Sequence, residues 1–368
     1  MQITAALSRG PESPFSLEEV TLGPLRADEV RVRMVAAGIC HTDLVSKAGV
    51  PAAPAAVFGH EGAGIVEETG SRVEGVSVGD KVLLTFRSCG RCLPCTQGRP
   101  SYCVSFVPLN SSGARPDGTS TLSQDGEPLR APFFGQSSFA TYAVATRDNV
   151  VVVDPSTDLV AAAPFACGFQ TGAGAVLNVL EPVADSRLVV YGVGGVGIAA
   201  VMAARALGVG TVVAVDLSEG RRKTALAVGA TAALDGRSAD LAEQLAEITA
   251  GGATHAVDTT AVPAVIRSAV ASLAPLGTLV LLGLGAPEVT FGAMDLVSNG
   301  KTIRGCIEGD ADPQSFIPRL LRLQASGKFP VGDVIRPYPF ADINTAIADA
   351  VSGAAIKPVL VFDEPAES

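Results

Sequence analysis

Tyr191-Gly192-Val193-Gly194-Gly195-Val196-Gly197 is the stretch whose reading decides the fold. The apolar run Arg187–Tyr191 leads into it as a buried strand, and the small-residue segment 195–207 leaves it as a helix. Gly192, Gly194 and Gly197 form Gly-x-Gly-x-x-Gly. The first allows a tight turn, the second lets backbone approach a pyrophosphate, and the third lets helix and strand pack closely. The helix N-terminus, with Gly195 and Val196, offers free N–H groups and a positive dipole end to phosphate. Glycine-rich turns are common, but this one has a strand before it, a helix after it, and a second strand, Thr211–Asp216, beyond. Asp216 ends that second strand, where a carboxylate accepts from both ribose hydroxyls. A 2′-phosphate would meet like charge there, so NAD is expected rather than NADP. Against this, Arg221 and Arg222 offer positive charge just beyond, and Asp216 also suits a helix cap.

Outward from this turn the strand–helix rhythm continues. Residues 221–228 read as helix, and 255–258 and 278–282 as strands, which predicts a parallel sheet covered by helices on both faces. Before residue 165 the pattern differs. Short valine-rich stretches at 29–36, 64–68 and 81–85 alternate with Gly, Pro and Asp turns, as in an irregular β domain. After 307 come one helical stretch, 316–326, and a last strand, 359–362, expected to return to the first domain. The polar loop 108–132 is long enough to be either functional or mobile. Alternation at 289–291 reads as an edge strand able to pair across a two-fold, so a homo-oligomer is expected, a dimer first and a tetramer equally compatible.

The 368 residues suffice for two domains, and 48% hydrophobic content with 40 glycines fits an α/β protein with many tight turns. The net charge of −10 disfavours nucleic acid and anionic membrane as partners. No apolar run reaches the ~20 residues of a membrane span. The start, Met1-Gln2-Ile3-Thr4, has no basic segment followed by an apolar stretch, so no signal peptide is expected and the cytoplasm is the expected location.

Seven cysteines in a reducing compartment point to metal rather than disulfides. Cys89, Cys92, Cys95 and Cys103 crowd together, and short Cys-x2-Cys steps put sulfurs on one side of a tight turn, enough for one tetrahedral zinc. A four-sulfur shell leaves no open position, so that zinc would be structural. Cys40, His60 and Cys167 lie outside the cluster. Taken singly, each reads equally as a packed core residue, and nothing in their spacing joins them.

Taken in order, Cys40-His41-Thr42-Asp43, Gly59-His60-Glu61-Gly62, the four-cysteine lobe, Cys167-Gly168 with Thr171-Gly172, the glycine-rich turn and Asp216 resemble the zinc-dependent medium-chain alcohol dehydrogenases over nearly the whole length. His41-Thr42-Asp43-Leu44-Val45 and the run 133–139 look most like the aryl-alcohol branch. The resemblance implies an α/β chain with a GroES-like, mostly β catalytic domain at 1–168, completed by 307–368, and a Rossmann domain at 169–306. It implies two zincs per chain, the second on Cys40, His60 and Cys167, with Glu61 an alternate ligand and Asp43 orienting His60. It assigns Thr42 to the proton relay and Thr171, His41, Arg221, Leu284 and Lys357 to the cofactor. Lys357 reads equally as a solvated surface lysine. Val45, Thr85, Phe86, Phe133 and Phe134 would wall an apolar substrate pocket.

The implied reaction is hydride transfer between a primary alcohol, aromatic or allylic, and NAD, interconverting alcohol and aldehyde. Several alcohol dehydrogenases carry a histidine five residues after the first zinc cysteine; this chain has Val45 there, so the relay must end in water or at His41. Two rival reactions share the motifs. A thiol-adduct (formaldehyde) dehydrogenase would call on basic residues such as Arg115 and Arg130, and a biosynthetic aldehyde reductase would run the same site in reverse. A non-catalytic NAD-binding protein would lack a ligand or relay residue, yet Cys40, Thr42, His60 and Cys167 are all present.

Overall fold

The structure, a computed structural model, describes residues 1–363. The chain divides into two compact units: Met1–Cys167 with Asp312–Pro318 and the residues from Ile335 on, and Gly168–Ala311 with Arg319–Val334.

The first unit is mostly β. Val30, Val32 and Met34 on the strand Glu29–Gly38 are buried, while Arg31 and Arg33 between them are half-exposed, the alternation of a strand with one wet face. Arg33 uses its position to pair with Glu67 on the neighbouring strand at 2.9 Å. Glu29–Gly38 is flanked by Glu61–Thr69 and Lys357–Val361, both antiparallel to it, in a seven-stranded sheet. Gly38 stands opposite Glu61 on one side and Val359 on the other, so the start and end of the chain meet at one point. A second sheet of five strands contains Gln2–Ser8, Ser16–Leu22 and the hairpin Leu122–Gln124 with Glu127–Pro128. That hairpin and Arg115 decide the state of the 108–132 loop. Arg115 is buried, donates to both oxygens of Glu29 at 2.5 and 2.8 Å, and donates to the Ser120 carbonyl at 2.7 Å.

The second unit holds a parallel six-stranded sheet in the order Ala232–Asp235, Thr211–Asp216, Arg187–Tyr191, Ala253–Asp258, Leu273–Leu281, Thr302–Gly305. The strand order reverses beside Arg187–Tyr191, the arrangement of a doubly wound dinucleotide fold. Leu188, Val189 and Val190 are fully buried, as expected of a strand covered on both faces. Residues 319–334, expected with the first domain, cluster with this unit instead, where the Phe329 ring lies 6.1 Å from that of Phe169.

The expected edge strand at 289–291 is corrected: no strand is assigned there, and Thr302–Gly305 forms that edge of the sheet. Val289 and Phe291 pack singly against the hydrophobic core, so their alternation reflects a loop pressed on a core rather than pairing. No single helix among the described residues is long and apolar enough to cross a membrane.

Candidate functional site

Register places the first residues. Because Gly38 pairs with Glu61, Cys40 and His60 are delivered side by side from two neighbouring strands. Cys40 caps the helix His41–Gly49, and His60 immediately precedes the strand Glu61–Thr69. Gly59 carries φ +91°, and a Cβ there would sit 2.5 Å from the Phe139 amide nitrogen, so only glycine allows this approach. Cys167 follows the 3-10 turn Ala163–Ala166. One ligand atom each from Cys40, His60, Glu61 and Cys167 lie within 4.8 Å of one another.

Asp43 organises this group. Its Oδ1 accepts from His60 Nδ1 at 2.8 Å and from the Gly59 amide at 3.1 Å, and its Oδ2 accepts from the Cys40 amide at 3.0 Å. A carboxylate on Nδ1 fixes that nitrogen as the donor and leaves the Nε2 lone pair for a metal. His60 Nε2 is buried and has no hydrogen-bond partner. A buried nitrogen of this kind is costly unless something binds it, and the donors around it are two thiols and a carboxylate. The residues therefore fit a zinc held by two sulfurs and one imidazole, with a position open.

The charges show how closely these groups face one another. Burial disfavours a charge on His60, but Asp43 outweighs it and holds the imidazole well above its ordinary value. The neighbouring Cys167 thiol, and after it the charge of His60, bring the Cys40 thiol well below the usual thiol range against burial. Burial pushes Glu61 up to about 7 against the pull of the Lys357 cation. Lys357 Nζ donates to Glu61 Oε1 at 2.7 Å and to the Ile39 carbonyl at 3.0 Å.

The lobe cysteines form the second cluster, again with ligand atoms within 4.8 Å of one another. All seven cysteines are free thiols, which removes the disulfide alternative. Cys92 Sγ lies 3.4 Å from Cys95 Sγ and 3.9 Å from Cys103 Sγ, against about 3.8 Å between sulfurs on one tetrahedral zinc. Backbone amides of Arg91 and Cys92 bring Cys89 down to about 6, whereas burial pushes Cys95 up to about 12 and also raises Cys103.

In the second unit Gly192 has φ +81°, and a Cβ on Gly197 would lie 2.0 Å from the Gly192 carbonyl oxygen. Asp216 is buried. Its carboxylate accepts from the Val193 amide and the Ser218 amide, both at 2.8 Å, so it braces the glycine turn as well as ending its strand. Ser218, not Asp216, caps the following helix. Arg222 is committed to Asp235 at 3.2 Å and to the Asp216 carbonyl at 2.8 Å. Arg221 and Thr171 are half-buried in the same unit.

Several expectations need correction. Lys357 is buried and paired with Glu61, so it is neither a surface lysine nor free for a cofactor phosphate; the residues that follow it, Pro358 to Leu360, are buried with it. Thr85 is fully buried and donates to the Ala166 carbonyl at 2.7 Å, which leaves it no surface for substrate. Phe86 is buried, its ring tilted against that of Phe106 with centroids 5.6 Å apart. Phe133 and Phe134 are also buried, with ring centroids 5.7 and 4.7 Å from the His60 ring, so they dress the imidazole. His41 and Val45 are exposed on their helix, Leu284 is exposed in a loop, and Thr42 is half-buried with its hydroxyl 3.7 Å from Cys40 Sγ. Sequence reasoning gave no role to Gln136, which is buried and bonded to the His60 carbonyl. In sequence it is one of three polar residues, with Ser137 and Ser138, between Phe134 and Phe139, and nothing there sets it apart.

The zinc-binding dehydrogenase family profile matches residues 195–326, and that of the alcohol dehydrogenase GroES-like domain matches 26–155. Geraniol dehydrogenase of Castellaniella defragrans is 45% identical over 362 residues, 97% of each chain. The solved benzyl alcohol dehydrogenase of Acinetobacter calcoaceticus is 37% identical with a TM-score of 0.94, covering 99% of this chain and 100% of its own. An alcohol dehydrogenase zinc-binding domain protein from Burkholderia ambifaria, also solved, is 42% identical with a TM-score of 0.95 over the same shares.

Proposed function

The chain belongs to the zinc-dependent medium-chain alcohol dehydrogenase family, and from that premise we propose that it moves a hydride between a primary aromatic or allylic alcohol and NAD. The observation that carries this reading is the buried, unpartnered His60 Nε2 facing the thiols of Cys40 and Cys167. Zinc bound there would supply Lewis acidity that acidifies an alcohol, and NAD would supply the hydride acceptor. The lobe would hold a second zinc on Cys89, Cys92, Cys95 and Cys103.

The chain's own residues then act as follows. Asp43 keeps the proton on His60 Nδ1 and so keeps Nε2 a donor of electrons. Phe133 and Phe134 cover the imidazole and exclude water from it. Glu61 is held by Lys357, which balances its charge beside the ligands. Thr42 takes the alcohol proton, because a hydroxyl accepts and donates at once. Exposed Val45 cannot relay it, so the proton passes to solvent. Gly192, Gly194 and Gly197 seat the pyrophosphate, and Asp216 takes the ribose hydroxyls. Arg222 is already engaged, which favours NAD over NADP.

An aromatic or allylic alcohol is favoured because the relatives are named for geraniol and benzyl alcohol. The thiol-adduct alternative loses support, since Arg115 is buried against Glu29. The test is NAD reduction by zinc-replete protein across ethanol, hexanol, geraniol, cinnamyl alcohol, benzyl alcohol and hydroxymethyl-thiol adducts, repeated with NADP. Turnover on the allylic and benzylic members with NAD supports the reading. Silence on all of them, with turnover on a thiol adduct, overturns its substrate class.

A further inference from the structure

Asp43 ties His60 to Cys40, but Cys167 lies far along the chain from both. What holds it at the right distance is a separate question. The strands Glu61–Thr69 and Lys81–Leu84 stop pairing at Gly62 and Leu84. Beyond that pair no ladder fixes the separation of His60 from Thr85. The side-chain amide of Gln136 fills this gap as a detached peptide group would. Its Oε1 accepts from the Gly62 amide at 3.1 Å. Its Nε2 faces the carbonyls of Leu84, His60 and Thr85 at 2.9, 3.0 and 3.2 Å. Thr85 continues the line, donating from its hydroxyl to the carbonyl of Ala166, the residue before Cys167, at 2.7 Å.

Gln136 is itself held rigidly. The Ser137 hydroxyl, next in sequence, donates to the Val57 carbonyl and accepts from the Phe133 amide, both at 2.7 Å. Asn149 donates to the carbonyls of Phe134 and Gly135 at 3.4 and 3.3 Å. Phe134 and Ser137 sit at φ +48° and +53°, strained positions that persist only where surroundings over-determine them. A buried amide bonded to both segments, in a loop held this firmly, is suited to fixing a distance.

We propose that Gln136 and Thr85 are positioning residues for the metal site, linking the His60 segment to the Cys167 segment as Asp43 links His60 to Cys40. The proposal rests on the reading that Cys40, His60 and Cys167 hold a metal. Neither residue touches the metal. Each acts by setting where a ligand stands.

The test uses full-length, zinc-loaded protein as wild type, Thr85→Val, Thr85→Ser and Gln136→Met. Each is exposed to EDTA and iodoacetamide, and peptide mass spectrometry follows alkylation of Cys40 and Cys167 separately from Cys89, Cys92, Cys95 and Cys103. Residues behind metal ligands typically change affinity about 10- to 100-fold. Thr85→Val and Gln136→Met are therefore expected to expose Cys40 and Cys167 at least ~10-fold faster, while the lobe keeps its wild-type rate and Thr85→Ser behaves as wild type. Thr85→Val changes one hydroxyl at constant shape and carries the test alone if Gln136→Met does not fold. Unchanged rates at Cys40 and Cys167 overturn the proposal and leave the metal site standing. Equal acceleration at site and lobe also overturns it, because that is general loosening. If zinc fails to protect Cys40 and Cys167 even in the wild type, the metal reading falls and takes the proposal with it.

Discussion

Replacing Asp43 with Asn is the most informative single change. Asp43 is fully buried, and its two oxygens serve three donors: His60 Nδ1, the Gly59 amide and the Cys40 amide. In Asn, one oxygen remains for His60 and Gly59, but the NH2 group meets the Cys40 N–H donor to donor. One buried amide is left unpaired, at about 1–3 kcal/mol. The bond to His60 also stops being charge-assisted and loses roughly half its strength. His60 then becomes a poorer electron donor at Nε2. Loss of such support lowers metal affinity about 10- to 100-fold, or about 1.4–2.7 kcal/mol. Asp43→Ala strands all three donors, with a ceiling of about 3–9 kcal/mol, enough to threaten a domain stabilised by about 5–15 kcal/mol. The assay is competition for zinc against a chromophoric chelator, with thermal unfolding of each zinc-free variant beside it. Asp43→Asn binding zinc within threefold of wild type, at unchanged stability, would refute the claim that this carboxylate conditions the metal site.

Asp216→Gly should raise the NADP-to-NAD ratio of kcat/KM about tenfold or more by removing like charge. It should also lower the melting temperature of the cofactor-free protein, since the Val193 and Ser218 amides lose their acceptor; an unchanged ratio removes Asp216 from cofactor choice. Arg115→Met strands the buried Glu29 carboxylate and should destabilise the chain by about 3–5 kcal/mol in denaturant titrations, whereas a loss under ~1 kcal/mol would mean the loop is not anchored by this pair. Burial holds His255 below its ordinary value, so the unfolded chain takes the proton first. His255 therefore contributes stability above about pH 6.5 that is lost as pH falls through its folded value. His255→Gln should make the decline in unfolding free energy from about pH 7.5 to 5.5 shallower; parallel declines in variant and wild type would exclude this origin.

The glycine turn and the lobe were legible in the sequence because both are local. Strand, turn and helix at 187–206 follow one another without a gap, and four sulfurs within fifteen residues need no tertiary argument. The catalytic cluster was legible only through family likeness. Cys40 and His60 are joined by the pairing of Gly38 with Glu61, which no spacing announces. Lys357 misled because a lysine opening a strand reads as surface, and its acidic partner lies 296 residues earlier. Val289 and Phe291 misled in the opposite sense, since alternation marks packing as readily as pairing. Thr85, Phe86, Phe133 and Phe134 were expected to wall a substrate pocket, and all four are buried, Phe133 and Phe134 against the His60 ring.

The strand Lys357–Val361 closes the sheet beside Gly38 and brings Lys357 to Glu61. On the ribosome this gives the pairing of Glu61 with Lys357 a schedule. At about 5–20 residues per second, the 296 residues between Glu61 and Lys357 take about 15–60 s to appear. Throughout that interval Cys40, His60 and Glu61 exist without the cation that balances them, while the glycine-turn unit, complete earlier in the chain except for 319–334, is free to fold. The lobe cysteines, proposed above to hold a metal, all lie within one short stretch and are complete on the nascent chain long before Lys357. The group proposed to hold the other metal has its cysteines and histidine once residue 167 is made, but the cation that balances Glu61 arrives only with nearly the last strand.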